Sequence, residues 1–148
     1  MQKSKAKVID IDGVILDSDL ILKEIYDLKL KGDAMWSHFH SNCNGDRVTF
    51  LSNITSLLSS LDSSVAVVLS TSRNECCREG TEKRLHEEGL LYSKLYMRPV
   101  SDFRPSSEVK REHRKEIQKS YDVIAFIDDD LSNCQMSKNE GILALRRV

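Results

Sequence analysis

Apolar residues along this chain fall into short dense runs separated by polar stretches in which apolar positions recur every three or four residues. The first run spans Lys7 to Asp17, and its Val8, Ile9, Ile11, Val14 and Ile15 are all β-branched, which predicts a strand buried in the middle of a sheet. Residues 18–46 are less regular. Leu20, Ile21, Leu22, Ile25 and Leu28 have some helical spacing, Lys29 to Asp33 breaks it, and Ala34 to Asn44 is aromatic and polar by turns, as in a flap over a sheet edge. From Val48 to Leu61, the positions Val48, Leu51, Ile54, Leu57, Leu58 and Leu61 predict an amphipathic helix. Val65 to Ser70 reads as a second buried strand, ending in the polar turn Thr71-Ser72-Arg73. Asn74 is a suitable N-cap for a helix to about Glu88, with Gly89 as its stop. Gly80 inside that helix costs about 1 kcal/mol against Ala, so tertiary contacts must favour it.

Leu95 to Met97 predicts a short strand, and Ser106 or Ser107 caps a charged helix from Glu108 to about Ser120. Val123 to Ile127 is a third full strand, ending in Asp128, Asp129 and Asp130. A helix near Asn133 to Asn139 stops at Gly141, and Ile142 to Leu145 supplies an edge strand. Strands alternating with helices predict an α/β fold, a three-layer, doubly wound parallel sheet with right-handed crossovers and helices on both faces. At 148 residues the expected organisation is one domain, 1–148, with a small flap insertion at about 18–46.

Basic and acidic residues nearly cancel, 22 against 23, so nothing global favours nucleic acid and any such contact must come from a local patch. The basic residues between Arg104 and Lys119 alternate with Glu108, Glu112 and Glu116, and read first as pairs within a helix. Apolar runs are strand-sized and the N-terminus lacks an apolar signal segment, so a cytoplasmic chain with no membrane partner is expected. Cys43, Cys76, Cys77 and Cys134 show no C-x-x-C spacing and read as reduced thiols. His38, His40 and Cys43 have zinc-like spacing, but no fourth ligand is evident. Adjacent Cys76 and Cys77 are poorly placed to grip one ion, and Trp36 and Phe39 suggest packing rather than base stacking.

Chemistry concentrates at strand ends. Asp10 and Asp12 close the first run two residues apart, on one face while the chain stays extended, and Gly13 then permits a tight turn or a close approach. Paired carboxylates there cost free energy unless a cation or hydrogen bonds balance them. Taken alone, the pair suits a solvated loop as well as a divalent-metal site at the carboxyl edge of the sheet. Thr71 and Arg73 end another strand, Asp128 and Asp129 a third, and Lys110 lies near the start of a helix. Carboxylates for a hard cation beside a hydroxyl and cations for an anion's oxygens describe magnesium-assisted phosphoryl transfer.

In this order the residues resemble the haloacid-dehalogenase (HAD) superfamily of phosphatases: Asp10-x-Asp12-Gly13-Val14, Thr71, Lys110, then Asp128-Asp129. More narrowly, nearly the whole chain is similar to the phage-type 3'-phosphatase domain of polynucleotide kinase-phosphatases. That likeness runs through Trp36-x-x-Phe39-x-x-x-Cys43, Thr71-Ser-Arg73 with Thr81, and Met97-Arg98-Pro99. It continues through Asp102-x-Arg104-Pro105-x-x-Glu108-Val109-Lys110, the Asp128-Asp129 pair, Met136 and Gly141. The resemblance implies a Rossmannoid HAD-like core, and residues 18–46 are too short for a large cap, so an open site is expected. It implies Asp10 as nucleophile forming an aspartyl-phosphate, Asp12 as acid and then base, and Thr71 and Lys110 on the phosphoryl oxygens. It places Mg²⁺ on Asp10, the Asp12 backbone carbonyl and Asp129, with Asp128 a direct or indirect partner, and makes Arg73 and Arg98 candidates for the substrate's phosphate or nucleotide.

The chain departs from many relatives at Asp130, where they carry Arg, at Ser72, where they carry Gly, and at Ser106, where they carry Asp. No G-x-x-x-x-G-K-[ST] loop occurs, so kinase activity is not expected of this chain. The expected function is a Mg-dependent phosphomonoesterase acting on a phosphorylated nucleotide or a nucleic-acid 3' end. The alternative is a catalytically lapsed phosphate- or partner-binding module of the same fold, against which intact Asp10, Asp12 and Lys110 count.

Overall fold

Five parallel strands run through the centre of the structure, a computed structural model that describes residues 2–60 and 62–148. Strand β1 (Ser4–Ile9) lies in the middle, between β4 (Ala66–Asn74) and β6 (Tyr121–Asp128). β5 (Lys94–Arg98) and β7 (Ala144–Arg146) form the edges, giving the order β5-β4-β1-β6-β7. Val8 pairs with Val68 on one side and Phe126 on the other, and Ile9 with Leu69 and Ile127. Alternate residues therefore feed opposite layers. Ala6, Val8, Val68 and Phe126 pack in a cluster with Ile117, whereas Ile9, Leu69 and Ile127 join the larger cluster that contains Ile21, Phe39 and Leu85. This is the expected doubly wound α/β fold. The chain leaves β1 for β4 and β5, then returns to the other side of β1 for β6, so the connections after β1 and β6 diverge and open a crevice at their carboxyl ends.

Several elements differ from the expectation. β1 stops at Ile9, and Ile11, Val14 and Ile15, although fully buried, lie in a tight loop whose amides at 14, 15 and 16 all point to the Ile11 carbonyl. Their β-branched character reported burial rather than extended backbone. Residues 18–46, expected to be irregular, form α1 (Asp19–Asp27) and α2 (Gly32–Asn42). Phe39 is buried on α2 and Cys43 at its C-cap, so the alternation of aromatic and polar residues was one face of a helix seen through its charged positions.

The helix expected from Val48 begins later. Thr49–Phe50 form β3, antiparallel to β2 (Leu16–Asp17), and α3 spans Ser52–Ser60, with Leu61 outside the described residues. The turn expected at Thr71 to Arg73 is instead the end of β4. Asn74 caps the chain as anticipated, its side chain accepting from the Cys76 amide at 2.9 Å, and a 3-10 turn at Glu75–Cys77 precedes α4 (Arg78–Glu87). Gly80 has its tertiary reason, because a Cβ there would lie 3.0 Å from Asn44 Nδ2. Helix α5 (Ser106–Gln118) starts after Pro105 without a serine cap; Ser106 Oγ is turned to Ser72 Oγ at 2.5 Å. Asp130 caps α6 (Leu131–Asn139), accepting from the Ser132 and Asn133 amides. Among the described residues no helix is long and apolar enough to cross a membrane.

Candidate active site

The carboxyl ends of β1 and β6 and the first half of α5 meet around one ammonium group. Asp10 extends the ladder one residue past β1, its amide donating to the Ile127 carbonyl at 2.9 Å. Its Oδ1 lies 2.9 Å from Lys110 Nζ, and the same ammonium lies 2.5 Å from Asp128 Oδ2. All three side chains are buried. Asp128 is held further by the Asn133 side-chain amide at 3.1 Å and by the Asp130 amide at 2.9 Å. Burial pulls the Lys110 pKa down, but attraction to Asp10 and Asp128 outweighs it and leaves the ammonium above its usual value. Burial, aided by repulsion from Asp128, drives the Asp10 carboxyl well above the usual carboxylate range, against the pull of Lys110.

Oxygens of Asp10, Asp128 and Asp129 all lie within 4.8 Å of one another. Asp129 is also pushed up, by burial and then by the Asp128 charge. Asp10 and Asp128 share one ammonium, Asp129 lies close to both, and the electrostatic excess of the three carboxylates is what a divalent cation would offset. The donors are oxygen only, which suits a hard cation such as Mg²⁺. Gly13 shapes the same point. It has φ +85°, and a Cβ there would collide with the Asp129 carboxylate. The residues fit the ion, with Asp10 and Asp129 the freer ligands, because both Asp128 oxygens already accept hydrogen bonds.

The structure sends the Asp12 side chain elsewhere. Its Oδ2 accepts from Arg73 Nε at 2.9 Å, and its Oδ1 accepts from Arg73 Nη2 at 2.8 Å and from Ser18 Oγ at 2.6 Å. Only the Asp12 backbone carbonyl is then left as a possible ligand. Arg73 is almost wholly buried, and its remaining donors go to Asn44 Oδ1, Thr81 Oγ1 and the Cys43 carbonyl. With every N–H committed, Arg73 orients Asp12, and the direct substrate contact anticipated for it is not how the side chain is placed. Thr71 is buried beside it, its hydroxyl accepting from the Arg73 amide at 3.1 Å. Arg98 is anchored to the Ser72, Asp102 and Arg104 carbonyls through Nε and Nη1, which leaves Nη2 without a partner among the described residues.

Two features escaped the sequence reading. His113, one turn after Lys110, accepts from Ser70 Oγ at 2.8 Å on Nδ1 and donates from Nε2 to the Met97 carbonyl at 3.0 Å, tying α5 to β4 and β5. Burial depresses its pKa to about 4, so the ring is neutral. Asn133 joins Asp128 to Ser106. A histidine on the charged helix α5 and an asparagine on the polar helix α6 carry no signal that would single out either. The zinc-like spacing does not converge: His38 faces Glu24 and Cys43 is buried. His40 instead meets Cys76 and Cys77, ligand atoms within 4.8 Å, because the 3-10 turn brings two adjacent thiols to one side, contrary to the expectation for that pair. Burial first raises the Cys76 thiol, and a hydrogen bond with Cys43 first raises that of Cys77, so both stay protonated.

The family model described as the polynucleotide kinase PNKP phosphatase domain matches residues 4–146. Among solved structures, the Pnkp1/Rnl/Hen1 complex superposes with a TM-score of 0.76 at 22% identity, over 98% of this chain and 46% of that one. A haloacid-dehalogenase-like hydrolase from Streptococcus pneumoniae gives 0.70 at 14%, over 97% and 84%. A HAD family enzyme from Bacteroides thetaiotaomicron, solved as a magnesium complex, gives 0.61 at 16%, over 99% and 94%. The chain thus spans less than half the length of the chain it matches in that complex. No protein of curated function matches it.

Proposed function

The chain belongs to the PNKP phosphatase domain family of HAD-type phosphatases, and from that membership and its site geometry we propose that it is a magnesium-dependent phosphomonoesterase working through an aspartyl-phosphate. The observation that carries the proposal is Lys110 Nζ set between Asp10 and Asp128, all three side chains buried at the sheet's carboxyl edge. That ammonium opposes the upward pull of burial on the Asp10 carboxyl, towards the ionised oxygen a nucleophile needs, and lowers the cost of bringing an anionic phosphate beside it.

An Asp10 oxygen attacks phosphorus, the P–O bond to the ester oxygen breaks, and Asp12 gives its proton to the leaving oxygen. A water then attacks the aspartyl-phosphate, the Asp12 carboxylate takes the water's proton, and inorganic phosphate leaves with Asp10 restored. Both Asp12 oxygens accept from Arg73 as folded, so Asp12 carries that proton on Oδ2 once the bond from Arg73 Nε is given up, while Arg73 Nη2 and Ser18 keep Oδ1 in register between the two steps. Thr71 lies at the end of β4, where its side chain can meet a phosphoryl oxygen on giving up its bond from the Arg73 amide. Mg²⁺ on Asp10, Asp129 and the Asp12 carbonyl would neutralise the excess carboxylate charge and polarise the phosphoryl group. We place the substrate among phosphorylated nucleotides and polynucleotide 3' ends, on the strength of the family match.

Release of p-nitrophenol from p-nitrophenyl phosphate tests the reaction, with wild type and Asp10→Asn compared in Mg²⁺ and in EDTA. Wild type in Mg²⁺ is expected to turn over at least about a thousand times faster than the variant. Equal rates for the two proteins would remove the covalent mechanism.

A further inference from the structure

Two thiols and an imidazole gather beside the end of β4, outside the phosphate site and unused by the chemistry proposed for it. His40 stands in the last turn of α2, and Cys76 and Cys77 on the 3-10 turn that follows β4. Their ligand atoms all lie within 4.8 Å of one another, and His40 Nδ1 is 3.8 Å from Cys76 Sγ. On a tetrahedral Zn²⁺, with bonds of about 2.0–2.1 Å to nitrogen and about 2.3 Å to sulfur, a nitrogen and a sulfur stand about 3.6 Å apart and two sulfurs about 3.8 Å. One pair is thus at ligand spacing as folded, and shifts of about 1 Å bring in the third group. Packing, not hydrogen bonding, orients the imidazole. It stacks on Trp36 at 5.8 Å and 25°, and meets Phe39 edge-on at 6.1 Å. Nε2 is buried with no partner among the described residues, so no strong hydrogen bond fixes the tautomer, and Nδ1 faces a sulfur. Burial, then the charge of Arg73, holds the ring's pKa down and keeps it neutral, the form that ligates.

We propose that His40, Cys76 and Cys77 hold one thiophilic metal ion, Zn²⁺, at a site separate from the carboxylates that suit Mg²⁺. One nitrogen and two sulfurs select a borderline-soft ion over Mg²⁺. On binding, each thiol loses its proton to solvent, Cys77 giving up the S–H it directs at the Asn74 carbonyl. Two thiolates then cancel the charge of the ion, so Arg73, whose charge reaches this cluster, gains no net like charge beside it. Three protein ligands leave a fourth position for water. That position opens on a cleft of about 440 Å³ whose lining includes Trp36, His40, Cys76 and Arg98. The ion joins the end of α2 to the turn after β4. The C-cap of α2 already meets β4 where Arg73 donates to the Cys43 carbonyl, so the metal reinforces the frame around Asp12.

Co²⁺ substitutes for Zn²⁺ and, on thiolates, gives a sulfur-to-cobalt charge-transfer band that carboxylate ligands do not produce. The whole chain, free of any affinity tag and kept reduced by a phosphine, is titrated with Co²⁺ in excess Mg²⁺, which fills the carboxylate site. The band is expected to saturate at about one ion per chain. Trp36 is the single tryptophan and its ring stacks on His40, so its fluorescence should be quenched in step, and Zn²⁺ should reverse both signals. Cys76→Ser, at an exposed position, and His40→Gln should each weaken Co²⁺ binding at least about tenfold. By linkage, Zn²⁺ in the same buffer should raise the thermal midpoint of wild type and leave that of Cys76→Ser where it is. No thiolate band in excess Co²⁺, a band of wild-type affinity in both variants, or a wild-type midpoint that Zn²⁺ does not move overturns the proposal. None of these readouts depends on turnover.

Discussion

Arg73 and Asp12, sixty-one residues apart in the chain, meet fork to fork, with Nε and Nη2 of the guanidinium 2.9 and 2.8 Å from the two carboxylate oxygens. The pair joins the end of β4 to the loop after β1 and, through Asn44, Thr81 and the Cys43 carbonyl, to the segment after α2 and to α4. An arginine in this place is part of the frame that holds the Asp12 carboxylate. Arg73→Ala leaves the half-buried Asp12 carboxylate with Ser18 as its remaining donor and strips three further acceptors, and is expected to cost about 2–4 kcal/mol of unfolding free energy by urea titration. Arg73→Lys keeps the charge without the fork, so its stability loss should be smaller while turnover still falls about ten- to a hundredfold. An Arg73→Ala protein as stable as wild type would return the residue to a substrate-facing role.

Gly13 and Asp129 are fitted to each other across the loop that follows β1. The glycine has φ +85°, its carbonyl accepts from Arg147 Nη1 at 3.1 Å, and any side chain at 13 displaces the Asp129 carboxylate. Gly13→Ala is expected to lower stability by about 1–2 kcal/mol, from the left-handed backbone alone. It should also raise the Mg²⁺ concentration for half-maximal activity at least tenfold. An unchanged magnesium requirement would show that Asp129 does not take part in holding the ion.

Lys110 is shared by two buried carboxylates, so its removal strands both. Lys110→Met is expected to lose about 3–5 kcal/mol of stability at neutral pH and most turnover. Adding Asp128→Asn should recover a good part of the stability and none of the activity. A double variant no more stable than the single one would show that Asp128 is not the destabilising partner.

His113 makes stability depend on pH in a definite direction. Its folded pKa is about 4, pushed down chiefly by burial, against about 6.5 for the unfolded chain. Between those values the unfolded chain binds the extra proton, so stability is fully present above pH 6.5 and is lost as pH falls towards 4. The loss due to this group is on the order of 3 kcal/mol. Urea midpoints for wild type and His113→Gln at pH 7, 5.5 and 4.5 check it. The variant should be less stable at pH 7 and should lose less on acidification; parallel curves would show that another group sets the slope.

Much of the molecule can be read from its pattern. The apolar runs at Val8 and Val67 mark central strands because a residue covered on both faces is apolar at every position, the run at Val123 marks one although Ile124 stays partly exposed, and their alternation with helical periods leaves a parallel sheet as the economical arrangement. Asp10, Asp12, Thr71, Asp128 and Asp129 stand out because polar groups at the ends of such runs need a reason to be there, whereas Lys110, on a charged helix, stands out only through the order of motifs it completes. Other features depend on residues distant in sequence. The apolar loop Ile11 to Ile15 and helix α2 look the same as a strand and a flap until it is known what covers them. Arg73 and Arg98 are both cations near strand ends; only the fold spends all five donors of the first on protein acceptors and leaves Nη2 of the second open at a cleft. Local composition states which groups are present, and packing across the sheet decides which of them are already satisfied.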